Sequence, residues 1–598
     1  MEVARQQRQA KVRRVLAFRG VYGPLVVVEG EGLSMYEIVL IGEEELVGEV
    51  VAIRGNRAYV QVYEDTTGIG PGDRAVATGE MLSAELGPGL LGSIYDGLQR
   101  NETEMFNLTR DIFVKRGVKV KALDRSKKWA FEKTRELKIG DKVSPGDVIG
   151  YVQEGRAITH KVMVPPGVSG ELKWIASDGD YVVEDTIALV ESERGVYEVK
   201  LYQTWPVRMP RPFKQRLEPT EPLVTGIRVI DYLFPLAKGG KAAIPGGFGT
   251  GKTVLLQELA KWSNVDVVVF VGCGERGNEM SDALTSFKKL VDPRRGIPML
   301  ERSIFIANTS NMPVIAREAS VLLGATLAEY YRDMGYDVLL VADSTSRWAE
   351  AMREIAGRME ELPAEEGYPG YLASRLAEFY ERAGRVVALG KPERVGSVTV
   401  VGAVSPPGGD FSEPVTRATM RLIHSLYALD YWLATRRHFP AINWLLSYSL
   451  YVPYVGEWWS KLTGGSWARH REEMLRVLQR EAELQDVVRV VGPDALPEED
   501  KLVLEIARMI RESFLQQSAY DPSDAYSPPE KTALLARAVM EFYERSRRAL
   551  RSGVRVSEIR ELKSRAFIAK LKFYAGDEFR KAYETLAETM REEFGEAV

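Results

Sequence analysis

The 598-residue sequence predicts a multidomain fold: an N-terminal β-barrel, a β-rich insert, a central doubly wound α/β domain and a C-terminal α-helical bundle. Three observations carry that prediction. Two apolar runs with almost no alternation, Val265 to Val271 and Val338 to Ala342, read as central parallel strands covered on both faces. Before them lie short β-rich segments punctuated by glycine and proline. After about Ala441 the composition shifts to helix formers with periodic apolar residues.

In chain order, the runs Leu25-Val26-Val27-Val28, Tyr36 to Ile41, Leu46 to Ile53 and Ala58 to Tyr63 are close enough to form a small barrel over residues 1–85. No aromatic or basic stripe marks this barrel for a ligand, and its role reads as structure or assembly. Residues 86–109 link it onward. A second β-rich segment runs from about Ile112 to Glu193, within an insert placed at 110–195. Its turn Ser177-Asp178-Gly179-Asp180 is like that of lipoyl and biotinyl carriers, but no lysine stands where a carrier would attach its cofactor. Trp205 to Pro212 reads as a proline-broken link. The α/β domain is placed at 200–440, with a helix from about Met312 to Met334 and a third β-rich run from Val395 to Val404. The helical bundle takes 441–598.

Charged residues make up 27% and hydrophobic residues 45%, with a net charge of −4, so neither disorder nor a general attraction to nucleic acid is expected. The single cysteine, Cys273, excludes an internal disulfide and a cysteine-based zinc cluster, which fits a reducing cytoplasm. None of the four histidines is spaced with another as a metal pair. No apolar run approaches the roughly 20 residues of a membrane span, and the basic stretch Met1 to Arg14 lacks the apolar core of a signal peptide. Any membrane link is therefore expected to run through partner proteins.

The chemistry is carried by Gly246-Gly247-Phe248-Gly249-Thr250-Gly251-Lys252-Thr253, which fits the phosphate-loop pattern G-x-x-x-x-G-K-[ST]. The apolar run Lys241 to Ile244 precedes it as a strand, and Val254 to Trp262 follows as a helix whose N-terminus adds its dipole to an anion site. Glycines let backbone N–H groups face a phosphate chain, Lys252 neutralises the outer phosphates, and Thr253 offers a hydroxyl to Mg²⁺. Phosphoryl transfer also needs a metal carboxylate, a positioner for the attacking water and positive charge. Asp343 closes one apolar strand, as a metal-holding acid should. Gly272 to Glu279 follows the other as a loop, where Glu275 can polarise a water and Arg276 can hold phosphate oxygens or a neighbouring subunit. Glu279, one turn on, can reach a metal-bound water. Cys273 has neither a nearby histidine nor a partner thiol and reads as a small buried residue.

Taken with further stretches, these residues resemble the catalytic A subunits of archaeal-type and vacuolar-type rotary ATPases. The carriers are Leu90-Leu91-Gly92-Ser93-Ile94-Tyr95-Asp96-Gly97-Leu98-Gln99-Arg100, the phosphate loop with Phe248, Gly274-Glu275-Arg276-Gly277-Asn278-Glu279 and Ala342-Asp343-Ser344-Thr345-Ser346-Arg347-Trp348. Pro363 to Leu372 and Ser405 to Pro414 complete the set. The insert is similar to the bulge domain that A subunits carry and the β subunits of F-type synthases lack. The resemblance implies a RecA-like P-loop domain in which Glu275 aligns the attacking water and Arg276 contacts the phosphate side. It implies Mg²⁺ held through Thr253, Asp343 and Glu279, and an arginine, Arg347, near the γ-phosphate. It also implies aromatic walls for the base at Phe439 and Tyr520.

Two departures stand in the loop, where Gly247 and Thr250 replace the family's usual proline and serine, and one beside Gln517, which Ser518 follows in place of asparagine. Each change in the loop keeps every group that touches phosphate. The partners implied are a non-catalytic B subunit in an alternating A3B3 hexamer, central and peripheral stalk subunits and a membrane sector moving protons or sodium, with no nucleic acid. The implied place is the cytoplasmic face of the cell membrane, as a peripheral protein. Rival readings are a related hexameric translocase, which lacks the long insert, and a nucleotide-binding subunit without turnover, which lacks the loop lysine and the Glu275 equivalent.

Overall fold

The computed structural model describes residues 13–110, 116–193, 195–292, 294–310 and 312–595. Ile112, expected to open the insert, and the basic stretch up to residue 12 lie outside the described residues. The chain divides into two compact units. One comprises the described residues up to Leu217 with Val265–Val404 and Pro414–Leu422; the other comprises Glu218–Asn264, Ser405–Glu413 and Ile423 onward.

In the first unit, the strands Arg14–Tyr22, Leu25–Glu29, Arg57–Val62, Leu46–Arg54, Glu37–Ile41 and Ala75–Met81 close into a barrel in that spatial order. Alternate residues such as Val26, Val28, Val39, Val60 and Val62 fill its interior, as period-2 patterning requires. Its outer face packs Leu25, Ile38 and Tyr63 against Ile315, Ala319 and Ile355 of the α/β core. Arg208 bridges the same interface, donating to both carboxylate oxygens of barrel Glu49 at 2.8 and 2.6 Å and to Glu318 at 3.1 and 2.7 Å.

The insert is a sandwich of two four-stranded antiparallel sheets. One orders Lys142–Val143, Gly170–Ile175, Thr186–Ser192 and Gly195–Lys200; the other orders Ile158–Met163, Val148–Glu154, Trp129–Lys133 and Gly179–Tyr181. A buried polar node fastens it to the core. His160 Nδ1 lies 2.9 Å from Glu154 and its Nε2 2.9 Å from the Tyr330 hydroxyl, while Tyr331 and the Gly89 and Leu91 amides donate to Glu154. Burial opposes the Glu154 charge, but these donors outweigh it and hold the carboxyl below its usual range.

The stretch read as a proline-broken link is partly a strand: Gln203–Pro206 pairs antiparallel with Ser83–Leu86. Pro206 is tolerated because it is the strand's last residue in a two-stranded sheet, where no further ladder donor is needed.

The core of this unit is a parallel sheet ordered Val395–Val404, Asp337–Asp343, Val267–Glu275, Ser303–Thr309 and Ile94–Tyr95. Every residue from Val267 to Gly274 is buried, as the unbroken apolar run requires. The Val314–Asp333 helix covers one face. It comes close at Gly324, where a Cβ would stand 2.4 Å from Val271 Cγ2. The helix is expected from Met312 and observed from Val314, after Pro313.

In the second unit, the strand Lys241–Pro245 runs parallel to Ser425–Leu426, which pairs antiparallel with Tyr448–Ser449. The helical region therefore opens later than the composition change at Ala441, at the Val452–Thr463 helix. The residues between spend their backbone bonds on that strand and its turns. Helices Trp467–Val491, Glu498–Met509, Pro529–Arg551, Lys563–Leu571 and Gly576–Phe594 follow. Trp459 and Trp467 stack at 6.0 Å in their core.

Candidate functional site

The phosphate loop belongs to the second unit. It leaves the buried Lys241–Pro245 strand and enters the Lys252–Trp262 helix. Gly249 and Gly251 take φ of 78° and 83°, the left-handed region that a side chain disfavours. A Cβ at Gly246 would stand 2.8 Å from Thr250 Oγ1, and that hydroxyl donates to the Gly247 carbonyl at 2.8 Å. Thr250 thus ties the loop internally, while Gly247 leaves the following stretch without a proline's rigidity. Lys252 Nζ donates to Ser405 Oγ, placing the first residue of the Ser405-Pro406-Pro407-Gly408-Gly409 stretch beside the loop lysine. Phe248 is 86% exposed at the loop tip.

Phe439 lies against the loop's exit: a Cβ at Gly251 would meet its ring at 3.4 Å. The Phe439 carbonyl accepts the Gln517 amide at 2.8 Å, which joins it to the segment bearing the exposed Tyr520. That segment is organised by a residue that no sequence motif singles out. Arg228, fully buried, donates to the Phe514 and Gln516 carbonyls at 2.6 and 2.8 Å and to Asp524 at 2.6 Å. Gln517 completes the scaffold, accepting from the Arg228 amide at 2.9 Å and donating to the Gly226 and Asp524 carbonyls. Nothing in the local sequence marks Arg228, because its partners lie nearly 300 positions away.

In the first unit, the acids and arginines gather at the C-terminal edge of the parallel sheet, where such folds carry their chemistry. Asp343 is the last residue of its strand, opposite Gly272, and Glu275 is the last of the neighbouring strand, opposite Thr309. The strand was expected to end at Val271 with a loop beyond. Instead it continues through Glu275, with an irregularity between Cys273 and Glu275. Glycine is what permits this: Gly274 turns at φ 73°, and a Cβ at Gly272 would stand 2.1 Å from Met280 Sδ.

Glu275 is half-buried and Asp343 is 4% exposed. Arg276 occupies the position before the Gly277–Lys289 helix and is exposed, with Glu279 in that helix's first turn. Arg347, in the first turn of the Thr345–Arg358 helix, pairs with Glu350 at 2.8 Å. That hydrogen bond, with the charges of Glu275 and Glu279, raises its guanidinium further above the ordinary arginine range. The same edge therefore holds Glu275, Glu279 and Arg347 within electrostatic reach of one another. Cys273 is fully buried and burial pushes its thiol up to about 12, which agrees with an inert packing role.

A hard divalent cation such as Mg²⁺ keeps several waters and takes one or two carboxylates with substrate phosphates rather than an all-protein cage. Oxygen donors of that kind are present in Asp343, Glu279 and the Thr253 hydroxyl. Among the described residues no group of three or more His, Cys, Asp or Glu side chains is placed to hold a metal by itself.

Comparison with known proteins bears on the whole chain. Residues 226–449 match the nucleotide-binding domain of the ATP synthase alpha/beta family, 19–79 its beta-barrel domain, 120–208 its barrel-sandwich domain, and 456–560 the C-terminal domain of V and A type ATP synthase. The A subunit of the A-type ATP synthase of Hyperthermus butylicus is 62% identical over 542 residues, covering 90% of each chain. That of Staphylothermus marinus is 58% identical over 575 residues, covering 96% of each. The chain belongs to the family of A-type ATP synthase A subunits.

Membership settles the class of reaction: the chain is a catalytic, ATP-synthesising and ATP-hydrolysing subunit of a rotary ATPase. The multidomain architecture expected from the sequence is the one observed. The assembled ATPase EscN of the enteropathogenic E. coli type III secretion system has a TM-score of 0.61 at 20% identity, covering 88% of this chain and 99% of that one. That likeness is one of fold. No described helix is long and apolar enough to cross a membrane.

Proposed function

We propose that Gly246 to Thr253 bind the triphosphate of ATP, with Lys252 neutralising its outer phosphates, and that Glu275 aligns the water that attacks the γ-phosphate. Arg276 and Arg347 supply positive charge on the phosphate side. Phe439 and Tyr520 flank the base. Thr253, Asp343 and Glu279 hold Mg²⁺, which when bound screens the phosphate charge that builds in the transition state. The single observation that carries this reading is the strand, the two left-handed glycines and the helix N-terminus presenting Lys252. The acids at the strand ends supply what a phosphate loop alone lacks.

On the same reading, three copies alternate with three B subunits, which contribute an arginine in trans, and stalk subunits couple turnover to proton or sodium movement through a membrane sector. The chain then works as a peripheral protein at the cytoplasmic face of the cell membrane, and synthesis and pumping are one cycle run in opposite directions. The domain limits proposed for this role are 1–85, 110–195, 200–440 and 441–598, with the regular helices of the last beginning at Val452.

The test is ATP hydrolysis by the chain assembled with its B partner, wild type against Glu275→Gln. Loss of a water-positioning carboxylate should lower kcat by roughly 100-fold or more while nucleotide still binds. Hydrolysis at the wild-type rate would refute the assignment of Glu275.

A further inference from the structure

Glu275 acts from the last position of a strand, and its usefulness depends on where that strand end is held. The backbone on either side of it is gripped by one residue. Arg317 lies in the first turn of the Val314–Asp333 helix, half-buried. Its Nη2 donates to the Ser310 carbonyl at 3.1 Å, and the Ser310 amide donates to the Glu275 carbonyl at 3.0 Å. Its aliphatic stem covers Gly274: a Cβ there would stand 3.0 Å from Arg317 Cδ and 2.8 Å from Arg347 Cβ. Its own carbonyl accepts from Cys273 Sγ at 3.5 Å. Three consecutive residues, Cys273, Gly274 and Glu275, are thus each tied to Arg317 directly or through Ser310.

The helix that carries Arg317 is itself anchored. Trp348, next to Arg347, donates from Nε1 to the Glu318 carbonyl at 3.0 Å, and the Glu318 carboxylate is bound by Arg208. The backbone from which Arg317 reaches the strand end is therefore fixed. The Arg317 Nε is buried without a hydrogen-bond partner among the described residues, so the guanidinium is held by packing against Gly274 rather than by saturating its donors.

We propose that Arg317 is a positioning residue for ATP hydrolysis, which holds the Glu275 carboxylate in line by clamping the Cys273-Gly274-Glu275 strand end through Gly274 and Ser310. The inference rests on the proposed role of Glu275. It predicts that loss of Arg317 acts through Glu275 and leaves nucleotide binding in place, because the groups Arg317 holds belong to the strand end and not to the phosphate loop.

The experiment is a double-mutant cycle in the assembled complex with B: wild type, Arg317→Gln, Glu275→Gln and the pair, with kcat and KM for ATP and binding of a fluorescent ATP analogue measured for each. Arg317→Gln should lower kcat by roughly 10- to 100-fold with KM and analogue binding within about twofold, as displacement of a catalytic group does. In the Glu275→Gln background the same change should cost less than about twofold, since the group it positions is gone. Arg317→Lys, which keeps a donor for Ser310, should recover part of kcat. That conservative variant also carries the test if Arg317→Gln does not assemble: a kcat closer to wild type with a Ser310 donor retained, against a larger loss in Arg317→Met, is the expected pattern.

Unchanged kcat, a raised KM at constant kcat, or a loss that multiplies in the double mutant would each overturn the inference while leaving Glu275 in its role. Wild-type hydrolysis by Glu275→Gln would overturn both.

Discussion

His438, the neighbour of Phe439, shows how one half-buried ring reports on its surroundings. Burial, with the positive charges of Arg511 and Lys572, lowers its pKa from 6.5 to about 4. Above pH 6.5 the folded and unfolded chains both carry a neutral ring, so the group contributes no pH dependence there. Between 6.5 and about 4 the unfolded chain takes up a proton that the folded one refuses, and stability falls as pH falls through that window. His438→Gln should flatten the decline of the thermal midpoint between pH 6.5 and 4 relative to wild type. An identical slope in both proteins would mean the ring is protonated in the fold. At this scale the sequence was legible wherever a residue sits in a motif, as Lys252, Glu275 and Asp343 do. It was silent on Arg228 and Arg317, which are ordinary arginines until the fold brings their acceptors to them.

At the level of elements, the segment from Phe514 to Asp524 depends on an ion pair rather than on regular structure. Arg228 and Asp524 are 0% and 1% exposed in their side chains, and Arg228 also holds two carbonyls of the segment. Removing one partner of a buried pair leaves an uncompensated charge and costs about 3–5 kcal/mol. Asp524→Ala should therefore lower stability by about that amount in chemical denaturation and weaken ATP affinity if Tyr520 and Phe439 flank the base. A second replacement, Arg228→Met, should restore only part of the stability, because the Phe514 carbonyl would then lose its guanidinium donor and the Gln516 carbonyl would keep only Lys572 Nζ. Full recovery in the double variant would show that the ion pair alone, and not the carbonyl bonds, holds the segment. The strand Val267–Glu275 makes a related point about legibility. Its apolar half announced itself, but Gly272-Cys273-Gly274-Glu275 looked like a loop because glycine is a poor strand former. Pairing with Ser303–Thr309 overrode that preference.

Across the first unit, three bodies are joined by buried polar nodes. The barrel is fastened through Arg208, shared between Glu49 and Glu318, and the insert through Glu154 and His160 against Tyr330 and Tyr331. Both nodes end on the Val314–Asp333 helix, which also carries Arg317. Arg208→Met would leave two buried carboxylates facing one another without their cation, a loss of about 3–5 kcal/mol at that interface. Limited proteolysis should then cut within the barrel sooner than in wild type, while Lys214→Met, which breaks an exposed pair with Glu393, should change little. Equal cleavage rates for Arg208→Met and wild type would place the strength of the interface in its apolar contacts.

By itself the sequence determined the class of machine and the order of its parts. A phosphate loop, unbroken apolar strands and periodic helices are local patterns, and local patterns survive in a string of letters because each is set by the geometry of adjacent residues. The family's motifs then assigned the reaction. Only the tertiary structure decided that the Val267–Glu275 strand runs on to Glu275, that Pro206 closes a strand, and that the helical region waits until Val452. It alone selected Arg208, Arg228 and Arg317 from the chain's many arginines. The reason is physical: what distinguishes those three is the set of groups around each guanidinium, and that set is assembled only when the chain folds.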